Sequence, residues 1–264
     1  MNSLKFLFNF LLFQYILSLE SIFRLCNLNS YSKKDKIINE INLTNIITTI
    51  INKNLPMHYQ ENCVSKLLVA NESDGIFAFL TEKERFFFTL LLKKSKKYLE
   101  FGMGGSTLLA YMTPNIEKII SIDSDYNWIK KIKNFKNLKN EEGKRIILNY
   151  INIGKVRYWG FPISITSNIS NYSKQIFQKF ENDYDFVFVD GVARVACALQ
   201  IILNCKPDIK ILFHDFNIRP YYHILYKYLD LIYAIDTFAL FSIKDDIDLD
   251  EIQKDYEIYK TDIR

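Results

Sequence analysis

At 264 residues, with 49% hydrophobic and 24% charged residues, the chain is long enough to bury a substantial core and too apolar to be a disordered polypeptide. A formal net charge of +4 is mild for that length, which argues against a nucleic-acid partner recruited by long-range charge. The four cysteines, Cys26, Cys63, Cys197 and Cys205, lack the close pairing and nearby histidines of a zinc site, and their sparsity suits reduced thiols in a cytoplasmic setting.

Residues 4–19 are almost continuously apolar, interrupted by Lys5, Asn9 and Gln14. The run falls short of the roughly 20 residues that span a bilayer, and Ser18-Leu19-Glu20 is a poor signal-peptidase site. Three readings of this first segment, 1–28, stay open: a packing or dimerising helix, an interfacial helix giving peripheral membrane contact, and a cleaved signal or span. Residues 29–80 read as an accessory helical region, because Ile37, Ile38, Ile41, Ile46, Ile47 and Ile50 recur at helical spacing before Pro56.

A capping box at Thr81-Glu82-Lys83-Glu84 opens a helix through Phe86, Phe87 and Leu90 to Leu92. Apolar strand-like runs then alternate with helical segments, the pattern of a doubly wound, mostly parallel α/β sheet covered on both faces. The runs predict parallel strands at 97–101, 118–122, 145–151, 185–189 and 209–213, and two shorter strands at 232–236 and 238–243, giving seven. Helices are expected at 106–112, 126–140, 168–180, 194–205 and 219–229. No Pro/Gly/Ser linker divides this region, so 81–245 reads as one domain. The crowded lysines between 130 and 139 read as a solvated helix face, and 246–264 as an acidic C-terminal tail.

Three of the eight glycines fall in Glu100-Phe101-Gly102-Met103-Gly104-Gly105-Ser106-Thr107, where an apolar strand runs at once into a turn and a helix. Such a turn presents bare backbone and unpaired helix N–H groups to a polar ligand. Each predicted parallel strand ends in a polar residue: Glu100, Asp123, Asn152, Asp190 and the pair His214-Asp215. Ligands of open α/β sheets bind outside these carboxyl ends. A pyrophosphate would want a third glycine where Thr107 stands, and Glu100 would repel it. Glu100 suits a cationic amino group or an ordered water instead, and Asp123 can accept from ribose hydroxyls. The ligand implied is a nucleoside carrying an amino acid.

On these residues the chain resembles the class I S-adenosylmethionine-dependent methyltransferases, over about residues 81–243. Leu99-Glu100-Phe101-Gly102-Met103-Gly104-Gly105-Ser106 is similar to the first motif and Ile119-Ile120-Ser121-Ile122-Asp123 to the second. Asp185 to Gly191 and Ile211 to Phe216 look like the fourth and fifth strands, and Tyr158-Trp159-Gly160-Phe161-Pro162 is similar to a bacterial methyltransferase-like subgroup. The resemblance implies S-adenosylmethionine as cofactor, held by Glu100, Gly102, Gly104, Gly105 and Ser106 around its methionine part and by Asp123 at its ribose. Asn152 stands where the family often has an acid that reads adenine, and its amide oxygen can accept the same bond.

Methyl transfer to oxygen needs an aligned nucleophile and a base. Asp190 and His214 are the candidates, with Asp215 beside them; a capping role for Asp190 and a hydrogen-bonded His214-Asp215 pair are the bland alternatives. Some family members hold magnesium between acids like Asp190 and Asp215, but the third ligand position is Phe216 here, so no metal is expected. Arg194 and Arg219 read either as contacts for an anionic acceptor or as surface residues at helix starts. The expectation is O-methylation of a small-molecule or saccharide-like acceptor. A nucleotide-dependent oxidoreductase and a non-catalytic nucleoside-binding protein are the competing readings, and the oligomeric state is open.

Overall fold

A computed structural model describes residues 76–135 and 138–264. The helices expected within 1–28 and over most of 29–80 lie outside the described residues.

The described elements run in the order α1 (Glu82–Lys94), β1 (Lys97–Phe101), α2 (Gly105–Tyr111), β2 (Lys118–Asp123), α3 (Tyr126–Lys133), α4 (Leu138–Glu141) and β3 (Ile146–Tyr150). There follow α5 (Ile169–Lys179), β4 (Phe186–Val189), α6 (Arg194–Asn204), β5 (Lys210–Phe213), β6 (Leu229–Ile235), β7 (Phe238–Ile243) and α7 (Leu249–Tyr259). The sheet has seven strands in the order β3-β2-β1-β4-β5-β7-β6. Neighbours from β3 to β5 are parallel, and β7 runs antiparallel to both β5 and β6. The strand order reverses between β1 and β4, and there the crevice of a doubly wound sheet opens.

Period-two alternation sends the strand side chains to two cores. Tyr98, Phe186 and Phe188 point to one face and meet Phe88 of α1, with ring centroids 6.1, 6.0 and 4.9 Å away. Leu99, Phe101, Val187 and Val189 point to the other and join the cluster of α5 and α6. Helix α6 is apolar nearly all round because α5 and α7 flank it while it lies on the sheet.

Three segments differ from the sequence expectation. The single helix expected at 126–140 stops at Lys133, and a separate short helix, Leu138–Glu141, follows. The stretch 219–229 is a 3-10 helix, Pro220–Lys227, with a proline at its start. The acidic segment after residue 245 is not a free tail: its Asp248 caps α7, and Ile252 and Tyr256 are buried against the main core. Acidic residues on the outward face hid the apolar seam that docks it. Beyond α7 the chain returns to the start of α6, where the N–H groups of Ala193 and Arg194 donate to the carbonyls of Ile263 and Arg264 at 3.3 and 3.0 Å. Those carbonyls satisfy donors that a helix start leaves open. Among the described residues, no helix is long and apolar enough to cross a membrane.

Candidate functional site

The turn between β1 and α2 uses its three glycines for three purposes. Gly102 has φ +97°, and a Cβ there would lie 2.5 Å from the backbone nitrogen of Gly191, so this glycine lets β1 and β4 approach. Gly105 carries a different neighbour: its Cβ would lie 2.1 Å from the nitrogen of Ala78, in the strap that precedes α1. Gly104 alone faces open space, since a Cβ there would meet nothing nearer than the Ser106 Oγ at 4.0 Å. Gly104 therefore leaves bare backbone facing open space, while Gly102 and Gly105 permit close backbone approach. Ser106 is buried in the first turn of α2.

Glu100 is fully buried on the sheet face beneath α2. Its Oε2 accepts from the hydroxyls of Thr107 and, at 2.6 Å, of Ser121, and the hydroxyls of Tyr98 and Ser106 also interact with the carboxyl. Thr107 in turn accepts from the Gly104 N–H at 2.9 Å, so the residue in the third-glycine place is the brace of the turn. Burial pushes the Glu100 carboxyl up to about 7.

Asp123 ends β2 on the same side of the protein as the turn. Its Oδ2 accepts from the Met103 N–H at 3.1 Å and its Oδ1 from the Asp125 N–H at 2.7 Å. Burial pushes it too up to about 7, against those backbone donors. Trp128 fixes the turn from α3 by donating its indole N–H to the Met103 carbonyl at 2.7 Å. Asn152 is exposed, and its Oδ1 closes a local turn by accepting from the Gly154 N–H at 3.0 Å.

Asp190, His214 and Asp215 come together at the ends of β4 and β5. His214 Nδ1 lies 2.7 Å from Asp190 Oδ1. Arg194 is buried, not a surface residue: it reaches Asp190 at 3.1 Å and Asp215 at 3.3 Å, and donates to the carbonyls of Gly191 and His214. Arg219 pairs with Asp215 at 2.7 Å. Burial by itself would push His214 down, but the Asp190 hydrogen bond and charge outweigh it and hold the imidazole above its ordinary value. Burial would likewise raise Asp190, and the charges of Arg194 and His214 reverse that, leaving it below the usual carboxylate range.

Glu84 completes this cluster. It is buried, accepts from the N–H and hydroxyl of Thr237 at 2.8 and 2.6 Å, and keeps its capping-box bond to the Thr81 N–H at 2.9 Å. Its Oε2 stands 4.0 Å from His214 Nε2. The capping box marked Glu84 in the sequence, but only as a helix start. Ligand atoms of Asp190, His214 and Asp215 lie within 4.8 Å of one another, close enough for a metal ion. Guanidinium groups already pair with both carboxylates, which disfavours a second cation there.

No family model and no curated protein matches the chain. Among solved structures, a methyltransferase-like protein from Silicibacter pomeroyi DSS-3 is similar over 71% of this chain and 98% of its own, with 23% identity and a TM-score of 0.60. An O-methyltransferase from Bacillus cereus, solved with S-adenosylhomocysteine, covers 78% of this chain and 100% of its own at 12% identity and a TM-score of 0.47. The first likeness shows that this chain shares the fold of that methyltransferase-like protein.

Proposed function

We propose that this protein is an S-adenosylmethionine-dependent methyltransferase that transfers the methyl group to an oxygen of a small-molecule or saccharide-like acceptor. The carrying observation is the pairing of open backbone at Gly104 with the buried Glu100 carboxyl beneath the same turn. A carboxyl held beneath the turn favours a cationic group above it, and an amino-acid ammonium group reaching it through a water or the Ser106 hydroxyl meets that need. The same features speak against a dinucleotide, because a buried carboxyl and the Thr107 brace occupy the place where a pyrophosphate would need a third glycine.

Gly104 and the start of α2, Ser106 included, would lie against the amino-acid part, with Glu100 beneath it. Each Asp123 oxygen already holds one backbone N–H and retains a second acceptor direction for a ribose hydroxyl. The exposed Oδ1 of Asn152 holds one N–H of its own turn and, like the Asp123 oxygens, retains a second acceptor direction, here for an adenine amino group. Bound, the cofactor supplies a methyl group on a sulfonium, which needs only an aligned nucleophile.

Preparing that nucleophile is the task of the Asp190–His214 pair. Asp190 fixes the imidazole with its proton on Nδ1, leaving Nε2 to take a proton from an acceptor hydroxyl. Arg194 keeps Asp190 ionised for this role and balances Asp215. Calorimetric titration with S-adenosylhomocysteine and with NADH tests the assignment. Single-site binding of the first and none of the second is expected; the reverse result overturns it.

A further inference from the structure

The loop after β3 is a small hairpin. Val156 and Pro162 form an antiparallel bridge, the Arg157 N–H donates to the Phe161 carbonyl at 2.8 Å, and the Ile163 N–H to the Lys155 carbonyl at 2.9 Å. Its base is pressed onto the crevice wall, where a Cβ on Gly160 would lie 2.6 Å from the Ser124 Oγ, and Ser124 donates to the Gly160 carbonyl at 2.8 Å. Its tip carries Tyr158 and Trp159, 88% and 71% exposed. Trp159 takes φ 64°, a left-handed conformation that a side chain adopts only at a cost, and holds its indole outward.

The exposed indole has company. Phe79, in the strap before α1, meets Trp159 edge to face with ring centroids 5.0 Å apart, and Phe77 follows at 6.4 Å from Phe79. Ile163 and Ile165, 65% and 69% exposed, follow the tip. Singly exposed apolar residues need no explanation, but a continuous patch held in a costly conformation does. Lys155 and Arg157 flank the tip, both exposed, and neither has an acidic partner among the described residues. A protruding Tyr-Trp tip flanked by exposed cations has the composition of a membrane–water interface, where aromatic rings sit at headgroup level and Lys or Arg meets anionic lipid.

We propose that the Lys155 to Ile165 hairpin, together with Phe77 and Phe79, docks the crevice edge of this protein onto an anionic lipid surface. The proposal does not depend on which cofactor the crevice takes. The site would thereby open at the headgroup layer.

The test uses the full chain with vesicles of phosphatidylcholine alone or with about one third phosphatidylglycerol, prepared with and without brominated acyl chains. Binding to the anionic vesicles is expected, with tryptophan emission quenched by bromine and the quenching lost in W159F, which leaves only Trp128. The variant K155E/R157E should lower partitioning at least tenfold, from roughly fivefold per basic residue at such a surface, while its thermal midpoint stays at the wild-type value. Three results overturn the proposal. They are no binding to anionic vesicles, quenching that persists in W159F with partitioning unchanged in K155E/R157E, and a dimer in sedimentation velocity that F79S/W159S converts to monomer.

Discussion

Substituting each glycine of the β1–α2 turn by alanine separates the ligand-facing position from the two that serve packing. At Gly102 the new methyl would stand 2.5 Å from Gly191 N and 2.7 Å from Asp190 C, both backbone atoms of the β4 end, at φ +97°. The left-handed penalty of about 1–2 kcal/mol and an overpacking cost of about 1–3 kcal/mol sum to about 2–5 kcal/mol, or a thermal midpoint lowered by roughly 5–15 °C in a domain of this size. Gly105→Ala meets backbone as well, at 2.1 Å, but in the strap at Phe77 and Ala78, and should also lower the midpoint. Gly104→Ala finds 4.0 Å of clearance and forfeits only helix-cap preference, about 0.5–1 kcal/mol. Its midpoint should therefore move by no more than about 3 °C. Yet its methyl enters the space assigned to the amino-acid part, and affinity for S-adenosylhomocysteine should fall at least ~30-fold, or about 2 kcal/mol. Differential scanning calorimetry and isothermal titration on the three variants read both quantities. Wild-type affinity in Gly104→Ala, or a wild-type midpoint in Gly102→Ala, would refute the division.

Glu100 and Asp123 are each pushed up to about 7 by burial, so both bind protons more tightly folded than unfolded. Their contribution to stability is full below the unfolded carboxylate range and is lost as pH rises through about 7. A ligand ammonium near Glu100 favours the ionised form, so S-adenosylhomocysteine affinity should strengthen as pH rises from 6 to 8, by up to about tenfold per unit below the pKa, with proton release measurable in buffers of different ionisation enthalpy. A pH-independent affinity would remove Glu100 from the site. For the base, His214 is held above its ordinary value chiefly by Asp190 against its own burial, so methyl transfer should rise with pH through that raised value. Asp190→Asn should then shift the rising limb to lower pH and reduce the maximum rate, and a limb that stays in place would exclude Asp190 as the orienting partner.

Strand and helix identity were legible along the chain because periodicity is a local property. The runs at 97–101 and 238–243 match β1 and β7 residue for residue, and the other strands begin or end within a few residues of their apolar runs. The glycine turn and the polar strand ends could be read for the same reason, since a parallel sheet delivers every such end to one side. What each side chain does there was decided by contacts between residues far apart in sequence. Glu84 looked like a helix cap, yet it binds Thr237, 153 positions away. Arg194 looked like a helix-start surface residue until β5 brought Asp215 beside it. Thr107 looked merely permissive, and only the register that pairs Glu100 with Ser121 reveals it as the brace of the turn. The glycines divide in the same way: sequence said that the turn needs small residues, but whether a neighbour, a strap or open space lies over each is a property of chain crossings that no local pattern encodes. Composition determined that this chain folds and its periodicity determined how; long-range packing determined which of its polar groups pair with one another and which backbone stays open.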